Sequence, residues 1–303
     1  MRVCVTGGAG YIGSHLVSAL HQEGHEVIVV DNLENGSRIH PKCHFFSHDI
    51  REIDQIEEEL QGTEVFFHLA ADKRATSTDY YEMISSNVAG TTAVLEVAKR
   101  VAAKRFVLSS SAAVYSKATE KTAASIGGSF FEGDTVTHRK PESIYGLSKL
   151  MAEDVCMLME DDDFRVVCLR YFNVFGGEYT PNPTFHKSAI EHFIEAKSTN
   201  VPTKIYGDGG IIRDFVHVDD VVDANLLAMT YPQKTVQRAF NVCTGKGTSI
   251  LELAKLVCGK DYPITFETGR NESGYSVGSP KLTEFSFGFK AKRNIQELST
   301  VHT

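Results

Sequence analysis

Three glycines spaced three residues apart follow the first apolar run of the chain, and this feature restricts the possible fold more than any other. The chain begins with the stretch MRVCVTGGAGYIG, which places Gly7, Gly10 and Gly13 directly after a predicted strand and at the start of a predicted helix. At such a junction a tight turn, close approach of the backbone to a phosphate and close helix–strand packing each require a missing Cβ. The free N–H groups of the helix would face the same anion. The pattern therefore predicts a phosphate-binding turn.

An acidic residue stands where a dinucleotide site needs one. Asp31 closes the second apolar run, EVIVVDN, eighteen residues after Gly13. A carboxylate at this place accepts hydrogen bonds from an adenosine ribose and repels a 2′-phosphate. Together the two features predict NAD, in preference to NADP, as the cofactor.

Short β-branched runs alternate with stretches of helical periodicity in the first half of the chain. This alternation is typical of an α/β protein with a Rossmann-like, doubly wound parallel sheet. The strand candidates are RVCVT, EVIVV, TEVFFHLA, KRFVLSS and FRVVCLR, and helices are predicted over 11–23, 83–102 and 146–160.

The pattern changes after Arg170 and indicates a smaller C-terminal substrate-binding lobe. We therefore predict a NAD-binding domain over 1–172 and a second lobe, with an interleaved boundary, formed mainly by 173–303. Its predicted helices lie near 187–197, 218–230 and 249–258, and its predicted strands near 203–206, 239–242 and 263–266.

Composition excludes several classes of partner. The chain carries 31 basic and 39 acidic residues, a net charge of −8, and lacks a basic block, so nucleic acid is not an expected partner. No apolar run is long enough to span a bilayer, and strand-like residues follow Met1 in place of a signal peptide. We therefore expect a cytoplasmic protein without a membrane partner. The six cysteines have no Cys-x-x-Cys spacing, so we expect reduced packing residues and no metal site.

The stretch YGLSK places Tyr145 and Lys149 four residues apart, on one face of a predicted helix. A phenol with a pKa of about 10 is a poor base at neutral pH, but a neighbouring cation favours the phenolate. The pair can therefore transfer a proton. The stretch VLSSSAAVY, at the end of the fifth strand, would supply hydroxyl groups to the same site.

Two further stretches fit the same predicted cofactor site. Asp49 in SHDIRE follows the third strand, where it is either a surface-loop residue or an adenine contact. The stretch HLAAD ends the fourth strand with residues beside the cofactor path. We interpret His68 there as a packed histidine and not as a catalyst.

Seven motifs in fixed order cover nearly the whole chain: TGGAGYIG, DNLENG, HLAA, SSSAAVY, YGLSK, LRYFNVFG and IRDFVHVDDVVDA. Together they resemble the extended short-chain dehydrogenase/reductase superfamily and, within it, the nucleotide-sugar epimerase/dehydratase family. The resemblance is greatest to the family's 4-epimerases. It implies that the chain binds NAD and a UDP-sugar and epimerises a UDP-hexose at C4 through a 4-keto intermediate.

The resemblance assigns roles to three catalytic residues. It implies that Ser111 hydrogen-bonds the reacting sugar oxygen, that Tyr145 is the acid/base, and that Lys149 holds the nicotinamide ribose and lowers the pKa of Tyr145. Ala112 and Ala113 stand where 4,6-dehydratases carry Asp-Glu, which argues against dehydration.

The resemblance also assigns binding residues. It implies that Asn173, Arg213 and Arg270 contact the diphosphate of the sugar nucleotide, with Ser111 at the sugar. Lys73 would lie near the NAD phosphate and Tyr171 near the nicotinamide. The full cofactor-binding set is Gly7, Gly10, Tyr11, Ile12, Gly13, Asp31, Asn32, Asp49, Ile50, Leu69, Ala70, Ala71, Lys73, Tyr145, Lys149 and Tyr171.

One position is expected to control the size of the sugar. In the family a bulky tyrosine about seven residues after the second arginine excludes N-acetylhexosamines. Counting forward from Arg270 gives Val277, and aligning backward from SPKLTEFSFGF gives Ser276. Both are small, so N-acetylhexosamines are predicted to fit. The segment 116–140 is longer than is usual in 4-epimerases, and we predict that it is a flap over the site.

Other functions remain open from the sequence. They are a different nucleotide-sugar epimerase, such as one acting on a uronate, a reductase or dehydrogenase that releases NADH, and a non-catalytic NAD-binding sensor. A sensor needs only the glycine turn and Asp31, so the presence of Ser111, Tyr145 and Lys149 argues against it. Family members are often homodimers, here predicted to form through helices 83–102 and 144–160.

Overall fold

Seven parallel strands form the central sheet of the protein, which we analysed as a computed structural model. The structure describes residues 1–36, 38–74, 79–115, 128–132, 141–177, 188–232, 237–268 and 274–299. In chain order the strands of this sheet are β1 (Arg2–Thr6), β2 (Glu26–Val30), β3 (His44–Phe46), β4 (Val65–His68), β5 (Arg105–Ser111), β6 (Arg165–Tyr171) and β10 (Ala239–Val242). Their spatial order is β3-β2-β1-β4-β5-β6-β10.

Helices cover both faces of this sheet, as its buried apolar strands require. Helices α1 (Tyr11–Gln22) and α6 (Val218–Thr230) pack on one face. On the other face lie α3 (Gly90–Arg100), α4 (Ile144–Met159) and the 3₁₀ helix Ile50–Ile56. Helix α2 (Tyr80–Ile84) continues through a π-helical turn, Ser85–Ala89, into α3. Further short 3₁₀ helices in the first half of the chain are Glu58–Leu60 and Ala112–Val114.

A smaller lobe stands at the carboxyl edge of the sheet. Its strands are β7 (Asn173–Phe175), β8 (Thr203–Tyr206), β9 (Ile212–His217), β11 (Gly247–Ser249), β12 (Ile264–Glu267) and β13 (Tyr275–Ser276). Strand β9 pairs with β7, β11 and β13, and β8 pairs with β12. The remaining elements are α5 (Ala189–Thr199), α7 (Ile250–Cys258), α8 (Lys281–Phe287) and the 3₁₀ helix Ile295–Ser299.

The sequence analysis is wrong about residues 239–242. It assigns this strand and the helix near 218–230 to the smaller lobe, but β10 pairs in parallel with β6 and extends the central sheet, and α6 packs on one face of that sheet. Phe240 and Val242 of β10 are completely buried in the core that α1 and α6 share with the sheet. A short apolar run carries no information about its pairing partner, and here the partner precedes it by about seventy residues.

The helices of the first half agree with the prediction except near 83–102. This stretch begins at Tyr80 and contains the π-helical turn, which the apolar periodicity does not reveal. Within the described residues no helix is both long enough and apolar enough to cross a membrane.

Candidate active site

The glycine turn between β1 and α1 leaves no room for side chains. Gly7 has φ +71°, and a Cβ added there would lie 2.5 Å from the backbone nitrogen of Ala70. A Cβ on Gly13 would lie 2.1 Å from the carbonyl oxygen of Gly7. Gly10 is the N-cap of α1 and offers no side chain to the first turn. The first N–H groups of the helix are thus available to an anion, as a dinucleotide pyrophosphate requires.

Asp31 lies at the end of β2, beside this turn. Its carboxylate accepts hydrogen bonds from the backbone N–H groups of Ala9, at 3.0 Å, and Leu33, at 2.8 Å. Burial raises the pKa of Asp31, and the two N–H groups oppose this shift. The bonds fix the carboxylate while leaving lone pairs for the hydroxyl groups of a ribose. The glycine turn and Asp31 therefore fit NAD.

One cleft runs along the carboxyl edge of β1, β2 and β4. Most residues of the predicted cofactor set line it, namely Gly7, Gly10, Tyr11, Ile12, Gly13, Asp31, Asn32, Asp49, Ile50, Leu69, Ala70, Ala71 and Lys73. The sequence analysis missed further lining residues, which are Glu34, Asn35, Gly36, His48, Arg51, Asp72, Arg74, Glu82, Ser86 and Ser109.

The motif DNLENG contains a signal for part of the missed set. A Cβ on Gly36 would lie 2.5 Å from the carbonyl group of Ala9. This loop must therefore approach the glycine turn closely, and a glycine after Asp31 could have indicated that approach.

Asp49 lines the cleft with its carboxylate already paired. It accepts hydrogen bonds from the backbone N–H of Arg51 at 2.9 Å and from the guanidinium of the same residue at 2.5 Å. The Arg51 guanidinium holds the pKa of Asp49 below its usual range and also reaches Glu82, at 3.1 Å. The Asp49 side chain is therefore held in place by an ion-pair network at the cleft.

Ser111 and Tyr145 meet where β5 ends and α4 begins. The Ser111 hydroxyl accepts a hydrogen bond from the N–H of Ala113 at 3.1 Å and lies close enough to the Tyr145 hydroxyl to lower the pKa of that phenol. Ser143 caps α4 by accepting from the N–H of Gly146 at 3.0 Å. A Cβ on Gly146 would lie 2.2 Å from the Ala113 carbonyl oxygen. The glycine in YGLSK thus allows the helix to bring Tyr145 against Ser111.

Lys149 lies one helical turn after Tyr145 and is almost completely buried. Its ammonium donates a hydrogen bond to the carbonyl oxygen of Ser109 at 2.7 Å, and burial lowers its pKa to about 8. Burial also raises the pKa of Tyr145, the charge of Asp72 raises it further, and the Ser111 hydroxyl lowers it. The lowering of the Tyr145 pKa by Lys149 stays a prediction, and in this structure the Lys149 ammonium is bound at the Ser109 carbonyl.

His68 is a packed histidine, as the sequence analysis interprets it. Its two ring nitrogens contact the hydroxyls of Thr6, at 2.7 Å, and Thr91, at 2.9 Å. Burial, with a smaller contribution from the charge of Lys149, lowers the pKa of His68 to about 3. The ring is therefore neutral at physiological pH.

Tyr171 does not line the cofactor cleft. It packs in the core, where its hydroxyl donates a hydrogen bond to the side-chain oxygen of Asn225 at 2.9 Å. Burial raises the pKa of Tyr171, and the neighbouring Ser109, which itself lines the cleft, opposes this shift. Tyr171 is therefore a core residue beside a residue of the cleft.

The residues predicted to bind the substrate lie on neighbouring short strands of the smaller lobe. Asn173 is exposed at the start of β7, which pairs with β9, and half-buried Arg213 lies on β9. Ser276 on β13 is directly opposite Arg213, so the two side chains share one face. Val277 is buried. Arg270 lies outside the described residues, as does all of 116–140 except 128–132.

The sequence analysis also missed Asn87, which lies on the π-helical turn before α3. Its side-chain oxygen accepts from the N–H of Asp72 at 2.7 Å, and its amide donates to the carbonyl of Asp72 at 2.8 Å. The amide also donates to Ser148, whose hydroxyl donates to the carbonyl of Tyr145. Asn87 therefore connects the cleft to the first turn of α4. Such π turns often occur at functional sites.

Metal-ligating groups do not converge in the described part of the chain. Among those residues no three His, Cys, Asp or Glu side chains are arranged to hold an ion. All six cysteines are free thiols, and five of them are buried.

Comparison with known proteins places this architecture in one family. The model of the NAD-dependent epimerase/dehydratase family matches residues 3–243. A putative UDP-glucose 4-epimerase of Methanocaldococcus jannaschii is 34% identical over 263 residues, which cover 84% of this chain and 81% of the relative. A UDP-glucose 4-epimerase of Lactobacillus helveticus is 33% identical over 297 residues, covering 88% and 84%.

Solved structures agree with this placement. The UDP-glucose 4-epimerase of Thermotoga maritima, determined with UDP-glucose, has a TM-score of 0.88 and 28% identity, covering 100% of this chain and 97% of its own. The Thermus thermophilus UDP-glucose 4-epimerase in complex with NAD has a TM-score of 0.85 and 29% identity at the same coverage. The chain described above belongs to the NAD-dependent epimerase/dehydratase family.

Proposed function

We propose that the protein epimerises UDP-hexoses at C4 through a 4-keto intermediate. The observation that carries the proposal is the close approach of Ser111 and Tyr145 at the edge of the sheet, beside a cleft that fits NAD. The named 4-epimerases among the relatives and the UDP-glucose in the Thermotoga maritima structure support this choice of reaction.

The proposed roles follow from the position of each group. Tyr145 takes the proton of the 4-hydroxyl as the C4–H bond breaks, and Ser111 hydrogen-bonds the same sugar oxygen. Bound NAD supplies the acceptor, and later the donor, of the C4 hydride. After the 4-keto sugar has turned over, Tyr145 returns the proton to the new 4-hydroxyl. Arg213 holds the diphosphate throughout, for which a bidentate guanidinium is suited.

Tyr145 must lose its proton before it can act as a base. Because burial raises its pKa, the phenolate needs positive charge nearby. Lys149, which stays largely cationic at neutral pH, lies one helical turn away. We propose that it leaves the Ser109 carbonyl and supplies that charge when cofactor and substrate bind.

We further propose that Ser276 is the position that admits N-acetylhexosamines. Its register opposite Arg213 puts its small side chain on the face that would bind the diphosphate, whereas Val277 is buried. A serine leaves space where a bulky residue would collide with an N-acetyl group.

Proton NMR of the anomeric region tests the reaction. Purified protein is incubated separately with UDP-glucose, UDP-GlcNAc and UDP-glucuronic acid, with Tyr145→Phe as the inactive control. We expect the galacto products of the first two without accumulation of NADH. Conversion of UDP-glucose alone would overturn the role of Ser276, and net NADH release would indicate a dehydrogenase.

UDP-glucuronic acid is included because a solved structure similar to this chain binds it. The solved structure of MoeE5 in complex with UDP-glucuronic acid and NAD has a TM-score of 0.82 and 27% identity to this chain. Conversion of UDP-glucuronic acid alone would replace the proposed hexose substrate by a uronate. No conversion of any of the three by protein that retains NAD would overturn C4 epimerisation of these sugars.

We also propose that the protein is a homodimer. Helix α4 exposes Leu147, Met151 and Leu158 on one face, with Leu158 85% exposed, and α2 exposes Tyr80 and Tyr81. An apolar face of this kind is stabilised by a second copy. Light scattering after gel filtration should report a dimer for the wild type and a monomer for Leu158→Asp. A monomeric wild type would contradict the proposal.

A further inference from the structure

A short piece of the long segment between Ser111 and Tyr145 is firmly docked. Residues 128–132 lie against the chain that follows β13: the N–H of Phe130 donates to the carbonyl of Val277 at 2.8 Å, and the N–H of Ser279 donates to the carbonyl of Phe130 at 2.9 Å. The Tyr275 hydroxyl donates to the carbonyl of Gly128. This piece therefore extends the edge of the strand that carries Ser276.

The Phe130 side chain anchors the same piece to the end of β5. Its buried ring stacks on that of Tyr115, with centroids 4.8 Å apart and planes inclined by 14°. Tyr115 follows Ser111 by four residues. Its hydroxyl donates to the side-chain oxygen of Asn241 at 2.6 Å, and the Asn241 amide donates back to the carbonyl of Phe130 at 2.9 Å. Tyr115 therefore holds the ring of Phe130, and Asn241 holds its backbone.

Glu132 provides the second anchor. It is 1% exposed, and its carboxyl oxygen accepts a hydrogen bond from the N–H of Asn241 at 2.9 Å. The Thr283 hydroxyl lies 3.3 Å from the same oxygen and donates to the carbonyl of Asn241 at 2.6 Å. Glu132 therefore ties residues 128–132 to β10 and to helix α8.

The network reaches the helix that carries Tyr145. The Arg170 guanidinium donates to the Tyr115 hydroxyl oxygen at 3.0 Å and makes two hydrogen bonds, of 2.8 and 2.6 Å, to Glu153. Glu153 lies on α4, one helical turn after Lys149, and accepts a hydrogen bond from Ser110. A continuous buried path therefore links the strand of Ser276 to α4, and residues 128–132 complete it.

We propose that Phe130 and Glu132 are positioning residues for the nucleotide-sugar site. They hold the strand of Ser276, which lies opposite Arg213, in a set orientation relative to Ser111 and Tyr145. The inference rests on the proposed function, because it takes this strand pair to be the place where UDP binds. None of residues 128–132 is among the described residues that line the cofactor cleft, so we expect NAD to stay bound when they are replaced.

The test measures UDP binding and local backbone protection on the NAD-containing protein. The variants are Phe130→Ala, Glu132→Ala and Glu132→Gln, since glutamine retains the acceptor for the Asn241 N–H. Leu60→Ala removes an equally buried side chain far from the network, and Phe285→Ala removes an exposed ring. Calorimetry gives the Kd for UDP, hydrogen exchange gives the protection of 275–279, and the cofactor content and Tm are recorded for each.

For Phe130→Ala and Glu132→Ala we expect UDP binding weakened by about tenfold or more, faster exchange at 275–279 and unchanged NAD content. Glu132→Gln should restore binding. Leu60→Ala should lower the Tm without changing the Kd, which separates positioning from general destabilisation. Wild-type Kd values in both alanine variants would overturn the inference and leave the proposed function intact. Failure of the wild type to bind UDP would overturn the proposed function and this inference with it.

Discussion

The cofactor end and the substrate end of the site are built in different ways. At the cofactor end, short motifs follow β1, β2 and β4, and parallel strands bring them to one edge where the backbone itself forms the cleft. At the proposed substrate end, Asn173, Arg213 and Ser276 come from three short strands far apart in sequence. A site made by backbone geometry tolerates almost no added atoms. A site made by side chains depends on strand register.

The largest effect is expected where the two ends meet. Tyr145→Phe removes the hydroxyl beside Ser111 and should lower kcat by roughly 10²–10⁴-fold, the usual contribution of a general acid/base. Because neither end is altered, NAD content and the Kd for UDP should stay at wild-type values. Steady-state kinetics with UDP-glucose measures the loss, with Tyr206→Phe on β8 as the control. A loss below tenfold would remove Tyr145 from the proposed chemistry.

At the cofactor end, we expect one added carbon atom to abolish NAD binding. Gly13→Ala places a Cβ 2.1 Å from the carbonyl oxygen of Gly7, and we expect it to destabilise the protein by about 1–3 kcal/mol and to abolish NAD retention. Gly210→Ala is the matched control, because its Cβ would meet only the side chain of Asp208. Urea unfolding and the absorbance of released cofactor measure the two effects. Full NAD content in Gly13→Ala would contradict a backbone-made cleft.

The substrate end should respond to side-chain chemistry instead. Arg213→Ala should raise the KM for UDP-glucose by about tenfold, the loss of one charge-assisted hydrogen-bonded contact, with a smaller change in kcat. Arg213→Lys keeps the charge but loses the planar fork, so we expect it to recover only part of the affinity. Arg165→Lys, at the first residue of β6, serves as the control. Equal KM values for Arg213→Ala, Arg213→Lys and the Arg165→Lys control would show that Arg213 does not bind the diphosphate.

The smallest effect concerns stability and pH. Burial lowers the pKa of Lys149 from 10.5 to about 8. Below pH 8 the folded and unfolded states both bind the proton, and the buried ammonium destabilises the fold. Between about pH 8 and 10.5 the unfolded state binds more protons, so this group makes stability rise with pH.

Lys149→Met removes this dependence. In cofactor-free protein the stability of the methionine variant relative to wild type should be greatest near pH 7 and should shrink as the pH rises above about 8. Urea unfolding at several pH values measures the difference. A difference independent of pH would show that Lys149 is not perturbed by burial.

Local patterns predicted the cofactor half well because its signals are local. Glycines that exclude a Cβ and an acid at a strand end each occupy a few consecutive residues, and the alternation of strands and helices indicates parallel pairing of β1 to β6. The choice between Ser276 and Val277 could not be made this way, since it depends on which residue of β13 faces Arg213. The π-helical turn at Asn87 was missed for a related reason, because it interrupts an otherwise continuous helical pattern.

By itself the sequence determined the α/β class, the glycine turn with Asp31, and the set of Ser111, Tyr145 and Lys149. The first two follow from steric and chemical needs that act within a few residues, and the third follows from the spacing of Tyr145 and Lys149 together with the family resemblance. Only the tertiary structure decided that β10 joins the central sheet, that the Lys149 ammonium binds Ser109, and that residues 128–132 dock beside β13. Pairing and burial of this kind join residues distant in the chain, and their free energy depends on packing that no local pattern records.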